Sequence, residues 1–302
     1  MVESGVEDIS TNSRKPVRVV QSAVSLTRAA MISRSTEIGS CERRSLLDDM
    51  IAYRIRFHQL LAEHFAHKRA WRASPMAMIS FTFDDFPRSA LTVGGRMLTD
   101  HGWRGTYYGA MGLMGRTTSA GPMFTRADLD DLLRVGHELA CHTLGHTSCL
   151  SVSTSKFVDG CAGNRRKADT MLNGYQLRNF SFPHGHVSLA AKDLLRSAYD
   201  TCRSIESGIN SDPVDLGFLR ANPIYSRLSI GTLKQLIYAN SQAKGWLVLY
   251  THDVAINPSP YGCTPEYFEE VLRYALESGA DILTVREAGT RYGLLSPAAP
   301  DD

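Results

Sequence analysis

The chain has 302 residues, of which 43% are hydrophobic and 21% are charged, so it has enough apolar side chains for a sizeable core. This composition excludes a disordered, collagen-like or disulfide-scaffold protein. The net charge of +2 leaves no electrostatic footprint for nucleic acid or for an anionic membrane, and we expect neither as a partner.

Export and membrane signals are not recognisable in the sequence. No stretch approaches 18 consecutive apolar residues, so we expect no transmembrane span. The N-terminus lacks a basic region followed by an apolar core, and we therefore expect a cytoplasmic protein. The six cysteines occur singly, without a CxxC pair, and are expected to be reduced thiols. They are Cys41, Cys141, Cys149, Cys161, Cys202 and Cys263.

Residues 1–75 are predicted to form an N-terminal extension. The first 40 residues are rich in Ser, Arg and Val without a sustained period, and we expect them to be partly disordered. Ser45 with Asp48 three positions later forms a capping pattern, and apolar residues at helical spacing follow to about Ala70. The extension is thus expected to contain one amphipathic helix that packs on the main domain, or alternatively binds a partner or a membrane surface.

Between residues 76 and 290, strand-like runs alternate with helical patterns. The predicted strands are 76–83, 105–108, 136–140, 180–182, 246–250 and 281–284, and helical patterns cover 90–97, 129–133 and 265–278. This alternation favours parallel βαβ units in an α/β fold, arranged as an open sheet or as a barrel. Residues 291–302 are predicted to be a C-terminal tail.

Polar residues gather where the predicted strands end. The clusters are Asp84-Asp85, His142 with His146, Pro183-His184-Gly185-His186, and Thr251-His252-Asp253. In parallel α/β folds, reactive side chains lie just beyond the carboxyl ends of strands. Each cluster alone is weak: with ten histidines in the chain, an HxxxH spacing arises by chance about one time in three.

The two histidines of the HxxxH segment have a spacing that suits a metal ion. On a helix, His142 and His146 lie on one face about 5–6 Å apart, and a carboxylate from elsewhere completes a facial site. The segment lacks the glutamate of HExxH, so Asp84 or Asp85 must supply the general base. Adjacent carboxylates at a strand end point in different directions, so one can ligate while the other handles protons. The alternative is that both histidines are ordinary polar helix residues.

Four motifs in chain order resemble those of a known family. They are Thr82-Phe-Asp-Asp85, His142-Thr-Leu-Gly-His146, Phe180-Ser-Phe-Pro-His-Gly185 and Leu249-Tyr-Thr-His252. This order is similar to the polysaccharide deacetylase family, the NodB-homology domain of carbohydrate esterases. The stretches 98–108 and 133–142 also resemble segments of that family. The resemblance covers roughly residues 76–290.

The resemblance implies a distorted (β/α) barrel of about seven strands with a metal at its mouth, preceded here by the N-terminal helical extension. It also implies that Asp85, His142 and His146 ligate a divalent metal, most often Zn²⁺ in this family. Two histidines and one aspartate also accept Co²⁺, Ni²⁺ or Mn²⁺, so the identity of the ion stays open.

Catalytic roles follow from the same resemblance. Asp84 is expected to be the general base that takes a proton from water, and His252 the general acid that protonates the leaving group. A backbone N–H of the turn at Pro183 and His184 is expected to hold the oxyanion.

The sequence departs from the family pattern at two places. The third motif usually carries an arginine that pairs with the base, and Ser181 stands at that position. Arg220 resembles an arginine in one branch of the family and is predicted to substitute for it, with a surface arginine as the alternative. The aspartate that tunes the acid histidine is indistinct, and Asp212 and Asp215 are candidates only by position.

The resemblance implies a metal-dependent hydrolase that removes acetyl groups from N-acetylated or O-acetylated sugars of a poly- or oligosaccharide. The motifs do not separate this activity from hydrolysis of small cyclic amides. The main alternative is a catalytically inactive carbohydrate-binding protein on the same barrel, although the base, ligand and acid positions are all intact. A scaffolding role of residues 1–75 has no motif behind it. The motifs do not specify the sugar or the oligomeric state.

Overall fold

The computed structural model describes residues 40–72 and 76–293, which fall into two compact units. The division lies between Arg54 and Ile55. In its described part, the first unit is the N-terminal portion of helix α1, which begins at Ser40 and ends at His64. The predicted disorder of residues 1–39 and most of the predicted tail lie outside the described residues.

The second unit contains the remaining elements. Its helices are α2 (Arg96–Asp100, directly after a π-helical turn at Ala90–Gly95), α3 (Arg126–Arg134), α4 (Thr154–Met171), α5 (Leu189–Ala198), α6 (Ile230–Ala243), α7 (Pro265–Glu277) and α8 (Val285–Thr290). Its strands are β1 (Arg69–Ala70), β2 (Met78–Asp85), β3 (Thr106–Gly109), β4 (Thr117–Thr118), β5 (Gly121–Pro122), β6 (Glu138–Cys141), β7 (Asn179–Ser181), β8 (Thr201–Arg203), β9 (Val214–Asp215), β10 (Asn222–Pro223), β11 (Trp246–Thr251) and β12 (Asp281–Ile282).

A parallel sheet with the order β10-β11-β2-β3-β6-β7-β8 forms the centre, and β12 pairs with the first two residues of β2. Beyond the last strand, irregular chain continues the ring, because Arg203 forms a parallel bridge with Leu219 and the amide of Cys202 donates to the carbonyl of Leu216. The sheet is therefore a distorted, incompletely closed (β/α) barrel, and the predicted fold class is confirmed. Two antiparallel pairs, β1-β9 and β4-β5, lie outside it.

The central strands β2 and β11 are buried on both faces, which explains their nearly continuous apolar sequences. Helices cover the outside with apolar faces and have defined starts. Thr264 caps α7 by accepting from the amide of Tyr267, and Pro265 occupies the first turn. No helix in the described ranges is long and apolar enough to cross a membrane. The five cysteines whose side chains are described are free and buried.

Because all strands of the central sheet run in parallel, their ends form two distinct faces. Asp85, Ser181, Arg203 and Thr251 end their strands on one face. At the opposite face, Thr106, Glu138, Asn179 and Thr201 begin theirs. The candidate site is built on the first of these faces, as expected for parallel α/β proteins.

Candidate metal centre and active site

Asp85 and the two motif histidines meet at the carboxyl ends of β2 and β6. Nε2 of His142 and of His146 lie 3.4 and 3.1 Å from Oδ1 of Asp85. The predicted helix under this HxxxH segment is wrong, since residues 142–147 form a loop in which Thr143 and His146 have φ angles of 60° and 52°. These two residues, with left-handed backbone conformations, reverse the direction of the chain. The loop thereby brings the two imidazoles together.

These three residues offer ligand atoms that all lie within 4.8 Å of one another. Oδ1 of Asp85 is buried and has no hydrogen-bond partner among the described residues. A buried, unpartnered carboxylate oxygen is costly, and coordination of a cation removes that cost. Asp85 and the following Phe86 also have positive φ angles of 62° and 67°, a strained backbone of the kind found at functional sites. One carboxylate and two imidazoles therefore fit a divalent metal.

The hydrogen bonding and burial of the histidines favour metal binding. Nδ1 of His142 lies 2.8 Å from the carbonyl oxygen of Ser181, which can only accept, so Nδ1 carries the proton and Nε2 presents its lone pair to the site. Burial lowers the pKa of His142 and of His146 to about 4, even though nearby carboxylates act in the opposite direction. Both rings are therefore neutral near pH 7, the form that ligates a metal.

Asp84 is paired with a buried arginine that the sequence analysis missed. Nη2 of Arg203, a fully buried residue, lies 2.5 Å from both carboxylate oxygens of Asp84 and also donates to Oγ of Ser181. The guanidinium lies between the rings of Tyr108 and Tyr250, 5.0 and 4.8 Å from their centroids. Burial by itself raises the pKa of Asp84, but Arg203 and the nearby histidines outweigh it and hold that pKa below its ordinary value. Asp84 is therefore an ionised carboxylate with a fixed orientation.

The prediction that Arg220 substitutes for the missing motif arginine is wrong. Arg220 pairs with Glu63 of helix α1 and donates to the carbonyl of Ser207. Arg203 takes the predicted place because its strand is hydrogen-bonded to β7, with Ser181 and Arg203 as register partners. The small side chain at position 181 leaves the space beside Asp84 to an arginine from the neighbouring strand.

His252 follows β11 and lies close to the candidate metal ligands. Its Nε2 lies 4.0 Å from Oδ2 of Asp85, while its Nδ1 donates to the carbonyl of Tyr261 at 3.2 Å. Neither aspartate considered by position contacts this ring: Asp212 pairs with Arg72, and Asp215 pairs with Lys192 and His67. A backbone carbonyl thus fixes the tautomer that leaves Nε2 available.

The third motif forms a tight turn beside the candidate metal ligands. Pro183–Gly185 is a 3₁₀ turn in which His184 and Gly185 have φ angles of 59° and 67°. The amides of Gly185 and His186 donate to the carbonyls of Phe182 and Pro183. The exposed imidazole of His184 has its centroid 4.3 Å from that of His146.

A cavity of about 440 Å³ joins these groups. Of the predicted site residues, Asp84, Asp85, His142, His146, His184 and His252 line it, whereas Pro183 and Arg220 do not. Tyr225, Tyr250 and Tyr261 form an aromatic wall on the His252 side. The hairpin between β4 and β5 contributes Thr118, Ser119 and Ala120. The cavity is thus large enough for a sugar-sized ligand.

Comparison with protein families supports the resemblance drawn from the motifs. Residues 72–199 match the family model described as polysaccharide deacetylase. The match contains the first three motifs, and the fourth lies beyond it. For this part of the chain, the family predicted from the order of the motifs is confirmed.

Solved structures share the fold at low sequence identity. The chitin deacetylase of the fungal pathogen Colletotrichum lindemuthianum is 16% identical, with a TM-score of 0.53 over 76% of this chain and 91% of that chain. The Bc1960 peptidoglycan N-acetylglucosamine deacetylase is 13% identical, with a TM-score of 0.51 over 75% of this chain and 94% of that chain. A pseudoenzyme from Bacillus anthracis has a TM-score of 0.48 at 14% identity over 72% of this chain and 68% of its own. No curated protein matches the sequence.

Proposed function

We propose that this member of the polysaccharide deacetylase family is a metal-dependent hydrolase that removes acetyl groups from acetylated sugars of a poly- or oligosaccharide. The observation that carries the proposal is the difference in environment between two adjacent carboxylates. Asp85 has an unpartnered buried oxygen beside two neutral imidazoles, and Asp84 is ion-paired to Arg203. One carboxylate is arranged to ligate, and the other to accept a proton.

Asp85, His142 and His146 would hold the divalent cation. When bound, such an ion lowers the pKa of water and polarises the acyl carbonyl. Zn²⁺, Co²⁺, Ni²⁺ and Mn²⁺ all accept two imidazoles and a carboxylate. The hydrogen bond from His142 to the Ser181 carbonyl keeps one of these imidazoles in the ligating tautomer.

Asp84 acts as the general base in this proposal. Its ionised carboxylate takes a proton from the attacking water as that water adds to the acetyl carbonyl carbon. Arg203 holds both carboxylate oxygens in place and keeps Asp84 charged between turnovers. The tyrosine rings on either side of the guanidinium keep Arg203 away from solvent.

His252 acts as the general acid from the opposite side. The Tyr261 carbonyl holds the Nδ1–H, so the imidazolium form of His252 delivers its Nε2 proton to the leaving nitrogen or oxygen of the sugar and becomes the neutral ring. The amide of His184 is assigned to the oxyanion, because the next two amides of the turn already donate to Phe182 and Pro183. Base, acid and oxyanion donor then surround a single acetyl group.

The test is acetate release from a panel of N-acetylated and O-acetylated oligosaccharides, measured with and without a chelator. We expect release that a chelator abolishes and that added Zn²⁺, Co²⁺, Ni²⁺ or Mn²⁺ restores. A cyclic amide in the same panel covers the other hydrolase chemistry that the motifs allow.

A carbohydrate-binding protein without activity would behave differently in this panel. It would bind an acetylated oligosaccharide and release no acetate with any of the four metals, which would overturn the proposed hydrolase. Metal-independent release of acetate would contradict the assigned role of the three ligands.

A further inference from the structure

Residues 55–70 precede the region matched by the family model, yet they contact the loops that border the cavity. The buried side chain of Gln59 donates from Nε2 to the carbonyl oxygen of Gly185 at 3.2 Å. Three residues earlier in helix α1, Arg56 pairs with Glu206 at 2.9 Å. Gly185 itself lines the cavity. Residues 55–70 are therefore bonded directly to a turn that lines the proposed active site.

A fully buried lysine anchors this segment close to Gln59. Nζ of Lys192 donates to the carbonyls of Ala62 and Phe65 at 2.6 and 2.9 Å, and pairs with Asp215 at 2.6 Å. Carbonyls at a helix C-terminus have no partner within the helix, and Lys192 supplies one. Because Ala62 lies one helical turn after Gln59, the anchor holds that glutamine in position.

The turn that Gln59 contacts needs external support. His184 and Gly185 are consecutive residues in the left-handed region, which costs a non-glycine residue about 1 kcal/mol. A Cβ atom at position 185 would lie 2.1 Å from Ile205, so the turn is also packed closely. Strained conformations persist where their surroundings hold them. The bond from Gln59 to the Gly185 carbonyl is one such restraint.

We propose that Gln59 is a positioning residue of the active site, which fixes the peptide groups of the Pro183–Gly185 turn through the Gly185 carbonyl. The inference rests on the proposed function, in which the His184 amide stabilises the oxyanion. An oxyanion donor acts in the transition state, so its displacement lowers kcat more than it raises KM. Residues 55–70 are then part of the catalytic unit.

The test compares full-length Gln59→Ala and Gln59→Glu with Glu63→Ala. Glu63 lies on the same helix and pairs with Arg220, so its removal breaks a contact of α1 that does not touch the turn. Hydrogen exchange of peptides covering 182–187 is measured with metal content, thermal stability, kcat and KM. We expect both Gln59 variants to exchange there about three- to tenfold faster, as expected for the loss of one hydrogen bond. Their kcat should fall by a similar factor with KM and metal content unchanged.

Glu63→Ala should leave exchange at 182–187 and kcat at the wild-type level. The proposal would be overturned if hydrogen exchange at 182–187 were unchanged in Gln59→Glu. It would also be overturned if kcat fell in proportion to thermal stability in all three variants. If the wild-type protein releases no acetate from any substrate, the proposed function fails. The exchange comparison then still decides whether Gln59 holds the turn.

Discussion

The two faces of the barrel both contain buried carboxylates, but these have opposite hydrogen-bond environments. At the amino ends of the strands, Glu138 accepts from Thr106 Oγ1, Asn179 Nδ2 and the amide of Arg286 at 2.8, 2.6 and 2.9 Å. At the carboxyl ends, Oδ1 of Asp85 is buried with no hydrogen-bond partner among the described residues. Its three hydrogen-bond donors indicate a structural role for Glu138, whereas the unpartnered oxygen of Asp85 is free to bind a ligand.

The two faces also each contain an arginine–aspartate pair. At the amino ends, Arg178 contacts both oxygens of Asp200 at 2.7 and 3.0 Å and is more than a third exposed. At the carboxyl ends, the pair of Arg203 with Asp84 is almost completely buried. An exposed pair contributes little stability, whereas a buried pair fixes orientation and charge. Burial and unfilled hydrogen-bonding capacity, more than residue type, therefore distinguish the functional face.

Asp85→Asn should have the largest effect, because it removes the charged ligand. We expect the protein to lose bound metal and, with it, acetate release. The metal-free protein should lose no stability, since the substitution removes no hydrogen bond to Oδ1 and replaces a costly buried charge with a neutral amide. Metal analysis and urea denaturation in the presence of chelator measure the two effects. A variant that keeps full metal occupancy would contradict the ligand assignment.

Asp84→Asn makes the same chemical change one residue away and should act differently. We expect turnover to fall by about 10²–10⁴, the usual contribution of a general base, with metal content unchanged. Steady-state kinetics and metal analysis of the purified variant check this. Loss of metal from Asp84→Asn with retention in Asp85→Asn would exchange the two roles.

Arg203→Lys tests whether the buried pair orients the base. Lysine keeps the charge but has a single nitrogen in place of the Nη2 that contacts Asp84 and the Nη1 that donates to the Ser204 carbonyl. Turnover should therefore fall by about 10- to 100-fold, as for other residues that orient groups at metal sites. Arg178→Lys at the opposite face is the matched control, and we expect it to leave turnover unchanged. Equal turnover in the two variants would remove the positioning role of Arg203.

The long strands and the order of the motifs could be predicted from sequence, because continuous apolar runs such as β2 and β11 have a clear local pattern. Strand β8 could not, since three residues carry no detectable period, and Arg203 at its end was therefore missed. The pairing of Ser181 with Arg203 depends on the register of two strands joined through helix α5. Local patterns do not specify such a register.

The geometry of the motif histidines was mispredicted for a different reason. A spacing of four residues suits one face of a helix, but a loop with left-handed residues at Thr143 and His146 brings the same side chains together. Backbone conformations of this kind are stabilised by tertiary contacts and not by residue type. The residues of the candidate metal site could therefore be predicted from the family motifs, whereas the local backbone structure that brings them together could not.

Glu138→Gln should have the smallest effect on activity and a measurable effect on stability. An amide presents an NH₂ group to at least one of the three donors around Glu138, so we expect a loss of about 1–3 kcal/mol in the free energy of unfolding. Turnover and metal content should remain at wild-type levels, because Glu138 lies at the face opposite the candidate site. Reduced metal content would show that the two faces are coupled.

The stability that Glu138→Gln loses should also depend on pH. Burial raises the pKa of Glu138 above its ordinary value, although bonds from Asn179, Arg286 and Thr106 act against it. A raised folded-state pKa means that the contribution of Glu138 to stability is complete below the unfolded-state pKa and declines as pH rises through the folded-state pKa. Glutamine does not titrate, so the penalty of Glu138→Gln should be greatest in acid and shrink as pH rises. Urea denaturation of the metal-free wild-type and Glu138→Gln proteins, from below the unfolded-state pKa to above the folded-state pKa, measures the difference in their free energies of unfolding. Titrations that the two proteins share cancel in this difference. A penalty that grows with pH would show that the three donors outweigh burial and that the ionised carboxylate is the favoured form.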